Sequence, residues 1–409
     1  MPNEYTVTPP ETFAKHAIEI IYKGHFSVAT KVKLLYKGHQ TFSAIFNAVR
    51  SAQAIICLQF YIFRNDETGL ELSEILKEKS RAGVKVYILY DHFGSWGTPR
   101  SFWQELRDAG ITVLASHPFK WTAPFHYVHR DHRKLIIVDL KKAFTGGLNI
   151  ANEYRGFHRK LRPRVRWKSW RDTGILLEGP IVSALFHSFR KSWDVWQGER
   201  IMLKSGEAKR DDGSAFLTSG GQTPVEHGMP VLPIFTAGAR GRRKMRRMLY
   251  YSINHAQKSI TLTTPYFTPS HRMIETLESA IGRGVKVRLL IPGKSDVPAA
   301  YYVARAFFTR LLKAGVEIYT YTGEILHAKT YIFDDCWSIM GSTNLDFQSL
   351  RYNDEGSIGI LDGGFNLKMK NVFEEDVTKS LKIDLRTWHQ RPFPEKVKEW
   401  FFSIFRRRL

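Results

Sequence analysis

Two histidines, two lysines and two asparagines recur at matching spacing in this 409-residue chain. HRKLIIVD runs from His132 to Asp139, and HAKTYIFD from His327 to Asp334. In each place an Asn follows the His by seventeen positions, Asn149 in FTGGLN and Asn344 in IMGSTN. One such string would arise by chance in about one chain in twenty; two with aligned downstream residues would not. The groups fit attack on a phosphodiester, which needs a nucleophile, neutralisation of the non-bridging oxygens and an acid for the leaving oxygen. Imidazole fills the first role when neutral and the third when protonated. Lys134 and Lys329 neutralise a phosphate without a metal, Asn149 and Asn344 hydrogen-bond its oxygens, and Gly146, Gly147, Gly341 and Ser342 let the backbone come close.

Each imidazole also needs a carboxylate on its other nitrogen. Glu355, in YNDEGSIGI, lies twenty-eight residues past His327 at the head of a strand. Asp172, in WRDTGILLEG, holds the comparable place in the first half, after an insert of about a dozen residues. A lone strand histidine is more often simply packed or solvated, but duplication with an aligned Asn and acid reverses that reading. A strand-ending Asp is more often structural, so on the residues alone Asp139 and Asp334 point away from the histidines. His117, His126 and His129 have weaker claims, although His129 and Arg130 could extend the phosphate site.

The elements that must position these groups are themselves duplicated. AQAIICL (52–58) matches AQKSITL (256–262), RAGVKVYIL (81–89) matches GRGVKVRLL (282–290), and ELRDAGITV (105–113) matches RLLKAGVEI (310–318). Short β-branched runs alternate with helical patterns in each half, which predicts α/β lobes around a mostly parallel sheet. His132 and Lys134 share one strand face, as do His327 and Lys329. Pro180–Gly198 reads as an amphipathic helix whose aromatic stripe is core. The expected division is an N-terminal segment (1–31), a first lobe (32–200), a linker (201–230), a second lobe (231–385) and a basic, aromatic tail (386–409).

Composition bounds the partners. A formal charge of +22 favours a polyanion, either nucleic acid or an anionic membrane surface, and 10 Trp suit bases or headgroups alike. Two cysteines, Cys57 and Cys336, make no disulfide scaffold and point to a reducing compartment. No secretory leader and no run of about 20 apolar residues is visible, so any membrane contact is expected to be peripheral.

At the HxKxxxxD pair followed by GGLN and GSTN, the chain resembles the phospholipase D superfamily, from about Val32 to about Ile360. The resemblance implies two α/β/α lobes related by a pseudo-twofold, an active site between them, a phosphohistidine intermediate, and no metal or other cofactor. It makes His132 and His327 the nucleophile and the general acid/base, with His132 the preferred attacker, and gives phosphate binding to Lys134, Lys329, Asn149 and Asn344, beside Gly147 and Ser342. As the closing residues of its signature, Asp139 and Asp334 join the catalytic set with Asp172 and Glu355.

Within the superfamily, RDHRKLIIVD, FTGGLNIANEY, WRDTGILLEGP, TTPYFTP and GSTNLDFQSLRYNDE look most like the bacterial cardiolipin synthases. Those enzymes transfer a phosphatidyl group from one phosphatidylglycerol to another and release glycerol. The likeness is to a short form without N-terminal transmembrane helices, peripheral on the cytoplasmic face of the bacterial inner membrane. Its expected partners are phosphatidylglycerol and cardiolipin, with a homo-oligomer open. A hydrolytic phospholipase D, a nuclease of the same superfamily and a non-enzymatic membrane scaffold rank below it. An intact HxK pair counts against the scaffold, and the aromatic terminus against the nuclease.

Two segments are expected to meet the lipid: the insert Arg155–Arg171, with Trp167 and Trp170, and the C-terminus, with Trp400, Phe401, Phe402 and Phe405 beside Arg406, Arg407 and Arg408. The cluster Ala239–Arg247 is a weaker candidate, because a basic helix start needs no ligand.

Overall fold

A computed structural model describes residues 10–119, 129–156, 169–198, 201 and 228–405. Its first sheet runs, edge to edge, Lys31–Leu35, Gly174–Glu178, Lys142–Gly146, Leu135–Val138, Ile55–Phe60, Lys85–Asp91 and Thr112–Ser116. The second repeats that order as Met229–Phe235, Gly356–Leu361, Trp337–Gly341, Thr330–Phe333, Ser259–Thr263, Lys286–Pro292 and Glu317–Tyr321. It gains one strand at each edge, Ser27–Ala29 and Ser380–Lys382.

The sheets are less parallel than expected. Only the trio linked by the helices Glu67–Arg81 and Arg100–Asp108, and its counterpart in the second lobe, runs parallel. The motif strand Leu135–Val138 turns tightly into Lys142–Gly146, and a turn that short enforces an antiparallel pair. Ile55–Phe60 is buried on every residue, which is why IICLQF is apolar but for Gln59, with no alternation.

Three large cores and a small cluster around Leu290, Leu326 and Phe373 hold the described residues together. One lies outside each sheet, and a third lies between the sheets, where Ile137, Leu177, Ile332 and Ile358 meet Phe189 and Trp193 of the helix Ile181–Val195. That helix therefore belongs to both lobes, as its aromatic stripe required. The described part of the N-terminal segment does not stand apart: Phe13, Ile18 and Tyr22 fill the second lobe's outer core. The tail is likewise built in, through buried Trp388 and Glu399. Most of the expected linker, Trp167, His126 and Arg406–Arg408 lie outside the described residues.

The lobes also exchange backbone. Ile325–Leu326 pairs with Trp170–Arg171, and Asp131 bridges to Asp354. The His327 amide donates to the Arg171 carbonyl, and the His132 amide to the Asp354 carbonyl, each at 2.8 Å. Because Asp172 and Glu355 are the next residues along, this pairing sets each acid beside a histidine of the opposite lobe.

Candidate active site

Both histidines enter the first strand of a hairpin that runs antiparallel to the parallel trio, so both stand at the C-terminal ends of those parallel strands. His132 Nδ1 lies 3.0 and 3.1 Å from the Glu355 carboxylate oxygens, and His327 Nδ1 lies 2.7 Å from Asp172 Oδ2. The acids were read from the sequence, but the exchange between lobes was not. With Nδ1 engaged, His132 is left with Nε2 for chemistry, while His327 Nε2 lies 3.1 Å from Lys329 Nζ. All four side chains are buried.

Burial, reinforced by Lys134 and Lys329, lowers the His132 pKa against the opposing pull of Glu355. Burial and Lys329 bring His327 down to about 4. Asp172 is also buried, yet Lys329 and His327 draw its carboxyl below the usual range. Buried Lys134 falls to about 7 and Lys329 to about 8, so burial works against holding two positive charges side by side. Lys134 Nζ meanwhile donates to the His132 carbonyl at 2.6 Å, and Lys329 Nζ to the His327 carbonyl.

The asparagines are buried where the motif predicted, and each is tethered by its amide nitrogen. Asn149 donates to the Tyr154 hydroxyl at 2.7 Å and accepts from the Ile62 amide, while Asn344 donates to Ser349 Oγ at 3.2 Å. Asn149 keeps one N–H for a phosphate oxygen, while Asn344 also hydrogen-bonds the Asp346 carboxylate.

Four expected roles change. The Asp139 carboxylate accepts from the amides of Gln53, Ala54 and Ile55, and Asp334 from those of Gln257, Lys258 and Ser259. Seven residues of extended chain, about 23 Å, separate each from its histidine, so these aspartates pin strand ends and do no chemistry. Gly147 and Ser342 serve the carboxylates rather than a phosphate. A Cβ on Gly147 would stand 2.2 Å from Asp172 Oδ1, and Ser342 Oγ donates to Glu355 Oε2 at 2.5 Å. Trp170 is no lipid anchor, since its ring lies 4.9 Å from His327 and 4.9 Å from Tyr154. Phe402 faces inward, stacked on Tyr302 at 5.5 Å. The weaker candidates stay outside the chemistry: His129 Nδ1 lies 2.8 Å from the Tyr352 carbonyl, and Arg130 sits 4.3 Å above the Phe93 ring.

Sequence reasoning missed the walls of the site. Tyr154, Trp170 and Tyr266 surround His327, whereas among the described residues the Tyr61 ring alone lies edge-on to His132, at 4.9 Å. It also missed Asp346, whose buried carboxyl is pushed up to about 7 while accepting from the Ser349 amide at 2.6 Å. The signal was present in NLDFQS, an Asp set three residues before a helical amide, where the first repeat has Ala151.

Comparison with known proteins agrees with this geometry. The family described as "Cardiolipin synthase, PLD-like domain" matches residues 45–160 and 249–377. A cardiolipin synthase of Geobacillus kaustophilus is 33% identical over 375 residues, covering 91% of this chain and 71% of its own length. Cardiolipin synthase A of Pseudomonas fluorescens is 35% identical over 349 residues, covering 85% of this chain and 68% of its own. In fold, the crystal structure of phosphatidylserine synthase from Haemophilus influenzae superposes with a TM-score of 0.73 at 16% identity, covering 98% of this chain and all of the other. Both matched segments carry an HxK histidine, and the chain belongs to the cardiolipin synthase, PLD-like domain family.

Proposed function

We propose that this protein makes cardiolipin by transferring the phosphatidyl group of one phosphatidylglycerol to the terminal glycerol hydroxyl of a second. One observation carries the reading: two buried histidines, each backed by a carboxylate from the opposite lobe, with a lysine two residues beyond each.

In the first step His132 Nε2 attacks phosphorus, a P–N bond forms, and the P–O bond to glycerol breaks. His327, protonated once the phosphate anion is bound, gives its proton to the departing glycerol oxygen. In the second step His327 takes a proton from the hydroxyl of the incoming phosphatidylglycerol. That oxygen attacks phosphorus, and the P–N bond breaks. Lys134, Lys329 and the amides of Asn149 and Asn344 hold the charge on the non-bridging oxygens throughout. His327 suits the alcohol side because Tyr154, Trp170 and Tyr266 close around it, and a water-poor wall favours a lipid alcohol over hydrolysis.

The substrate lies in a membrane, and the protein reads as a peripheral enzyme of the cytoplasmic face. No helix among the described residues is long and apolar enough to cross a bilayer. The test is mass spectrometry of products from phosphatidylglycerol vesicles, with His132→Ala as control. Cardiolipin and glycerol from the intact protein alone are expected. Phosphatidic acid in their place would make the chain a hydrolase.

A further inference from the structure

The helix Phe393–Ile404 is turned inside out. Its one buried residue is Glu399, 2% exposed, which takes Arg305 Nε at 3.0 Å and Arg391 Nη2 at 2.8 Å. Phe393, Val397, Trp400, Phe401 and Ile404, at i, i+4, i+7, i+8 and i+11, form an apolar stripe that faces out, with Trp400 66% exposed. A surface helix of a soluble protein does the opposite, turning its apolar stripe to the core. Here the ion pairs anchor the helix, and the stripe has nothing to cover it among the described residues.

A second apolar patch stands on the other lobe. Past the strand Lys85–Asp91 the chain exposes Phe93 and Trp96, the latter at 68%. The equivalent strand of the second lobe, Lys286–Pro292, leads into the helix Pro298–Ala306, on which Phe393–Ile404 packs. The first patch thus follows the C-terminal end of its strand directly, and the second rests on the helix that follows the equivalent strand of the other lobe. The segments that lead to the two patches each touch the surroundings of a catalytic histidine. Asp91 Oδ2 accepts from the amide of Asp131, the residue before His132, at 2.9 Å. Asp296 takes the Tyr266 hydroxyl at 2.8 Å, and the Tyr266 ring lies 6.1 Å from His327.

We propose that these two patches are the feet on which the protein stands on an anionic bilayer, with the active-site mouth between them turned to the lipid. The inference rests on the reading of the substrate as a membrane lipid. Charge selects the occupant. Three arginines, Arg406–Arg408, follow the helix in the sequence, and the whole chain carries +22. Aromatic burial beside cations gains from both the acyl boundary and anionic headgroups. A second copy would bring an equal positive charge against the same face.

The test is flotation of the full chain with phosphatidylglycerol-containing vesicles and with pure phosphatidylcholine vesicles. It compares the parent, Trp96→Ser, and Trp400→Ser/Phe401→Ser. Turnover of vesicular phosphatidylglycerol is measured beside turnover of a short-chain, monomeric phosphatidylglycerol. Each variant is expected to lose about ten-fold or more in vesicle partition and in vesicular turnover, since each removes an aromatic contact, while monomeric turnover stays at the parent's level. Trp400→Phe should regain most of the loss. Unchanged partition, equal binding to neutral vesicles, or a parent dimer that Trp400→Ser/Phe401→Ser splits would each overturn the proposal. Vesicle binding without any lipid turnover would instead remove the catalytic reading and leave this surface standing.

Discussion

Glu355 of the second lobe holds Nδ1 of His132 in the first, at 3.0 Å, while Asp172 of the first lobe holds His327 of the second at 2.7 Å. Neither lobe therefore contains a complete histidine–carboxylate pair. A lesion in one lobe's acid should disable the other lobe's histidine. With His132 attacking, Glu355→Gln slows formation of the phosphohistidine, whereas Asp172→Asn, acting through His327, slows proton donation in the first step and, more strongly, activation of the incoming alcohol in the second. Each should cost about a hundredfold or more in kcat. Acid quench and peptide mass spectrometry should find the phosphatidyl adduct on His132 accumulating in Asp172→Asn and not in Glu355→Gln. Accumulation on His327 would exchange the two roles.

The lysines predict the alkaline limb of activity. Burial lowers Lys134 to about 7 and Lys329 to about 8, so in the free enzyme both lose their protons as pH rises through that range. Phosphate binding needs the charged forms, so kcat/KM should fall above about pH 7 with apparent values belonging to the coupled pair. Bound phosphate favours the protonated lysines, so the limb in kcat should lie at higher pH than the limb in kcat/KM. Coincident limbs would mean that the lysines do not face the substrate. On the acid side burial lowers both histidine pKa values, so the neutral nucleophile persists to lower pH than an ordinary imidazole allows and the acid limb should be displaced downward.

Asp139 and Asp334 test the opposite expectation, that a signature residue can be purely structural. Each carboxylate accepts three backbone amides at a left-handed turn, with φ 51° and 52°. Asp139→Asn and Asp334→Asn should each lower stability by about 1–3 kcal/mol, read as a drop in denaturant midpoint. The kcat of the folded fraction should stay within about two-fold of the parent, because about 23 Å of strand separates each Asp from its histidine. A hundredfold loss in kcat at unchanged stability would return them to the chemistry.

The same residues show what a sequence carries and what it hides. Period-two alternation placed His132 with Lys134 and His327 with Lys329, and repeat spacing placed Asn149, Asn344, Asp172 and Glu355, because those relations are local or duplicated. The exchange of acids depends on Trp170–Arg171 pairing with Ile325–Leu326, a contact between residues more than 150 positions apart that no local pattern encodes. Trp170 was misread for the same reason. Next to a basic insert it resembles an interfacial anchor, and only the crossed pairing brings its ring to His327. The inverted helix at Phe393–Ile404 was half legible: the sequence announced the aromatics, but the ion pairs of Glu399 decide which face they take.

Gly147 and Ser342 occupy equivalent places yet support acids of different length, and this difference is testable. On the Asp172 side a Cβ at position 147 would overlap the carboxylate, 2.2 Å from Oδ1. On the Glu355 side the longer arm leaves room for Ser342, whose hydroxyl donates to it at 2.5 Å. Gly147→Ser alone should push Asp172 off His327 and cost about a hundredfold in kcat. Asp172→Glu alone should leave a longer acid misplaced, with a similar loss. Together they rebuild the arrangement of the other lobe, so the double variant should recover about ten-fold or more over either single one, a strongly non-additive cycle. Losses that simply multiply would show that the two residues act independently and that the glycine is there for some other reason than its carboxylate.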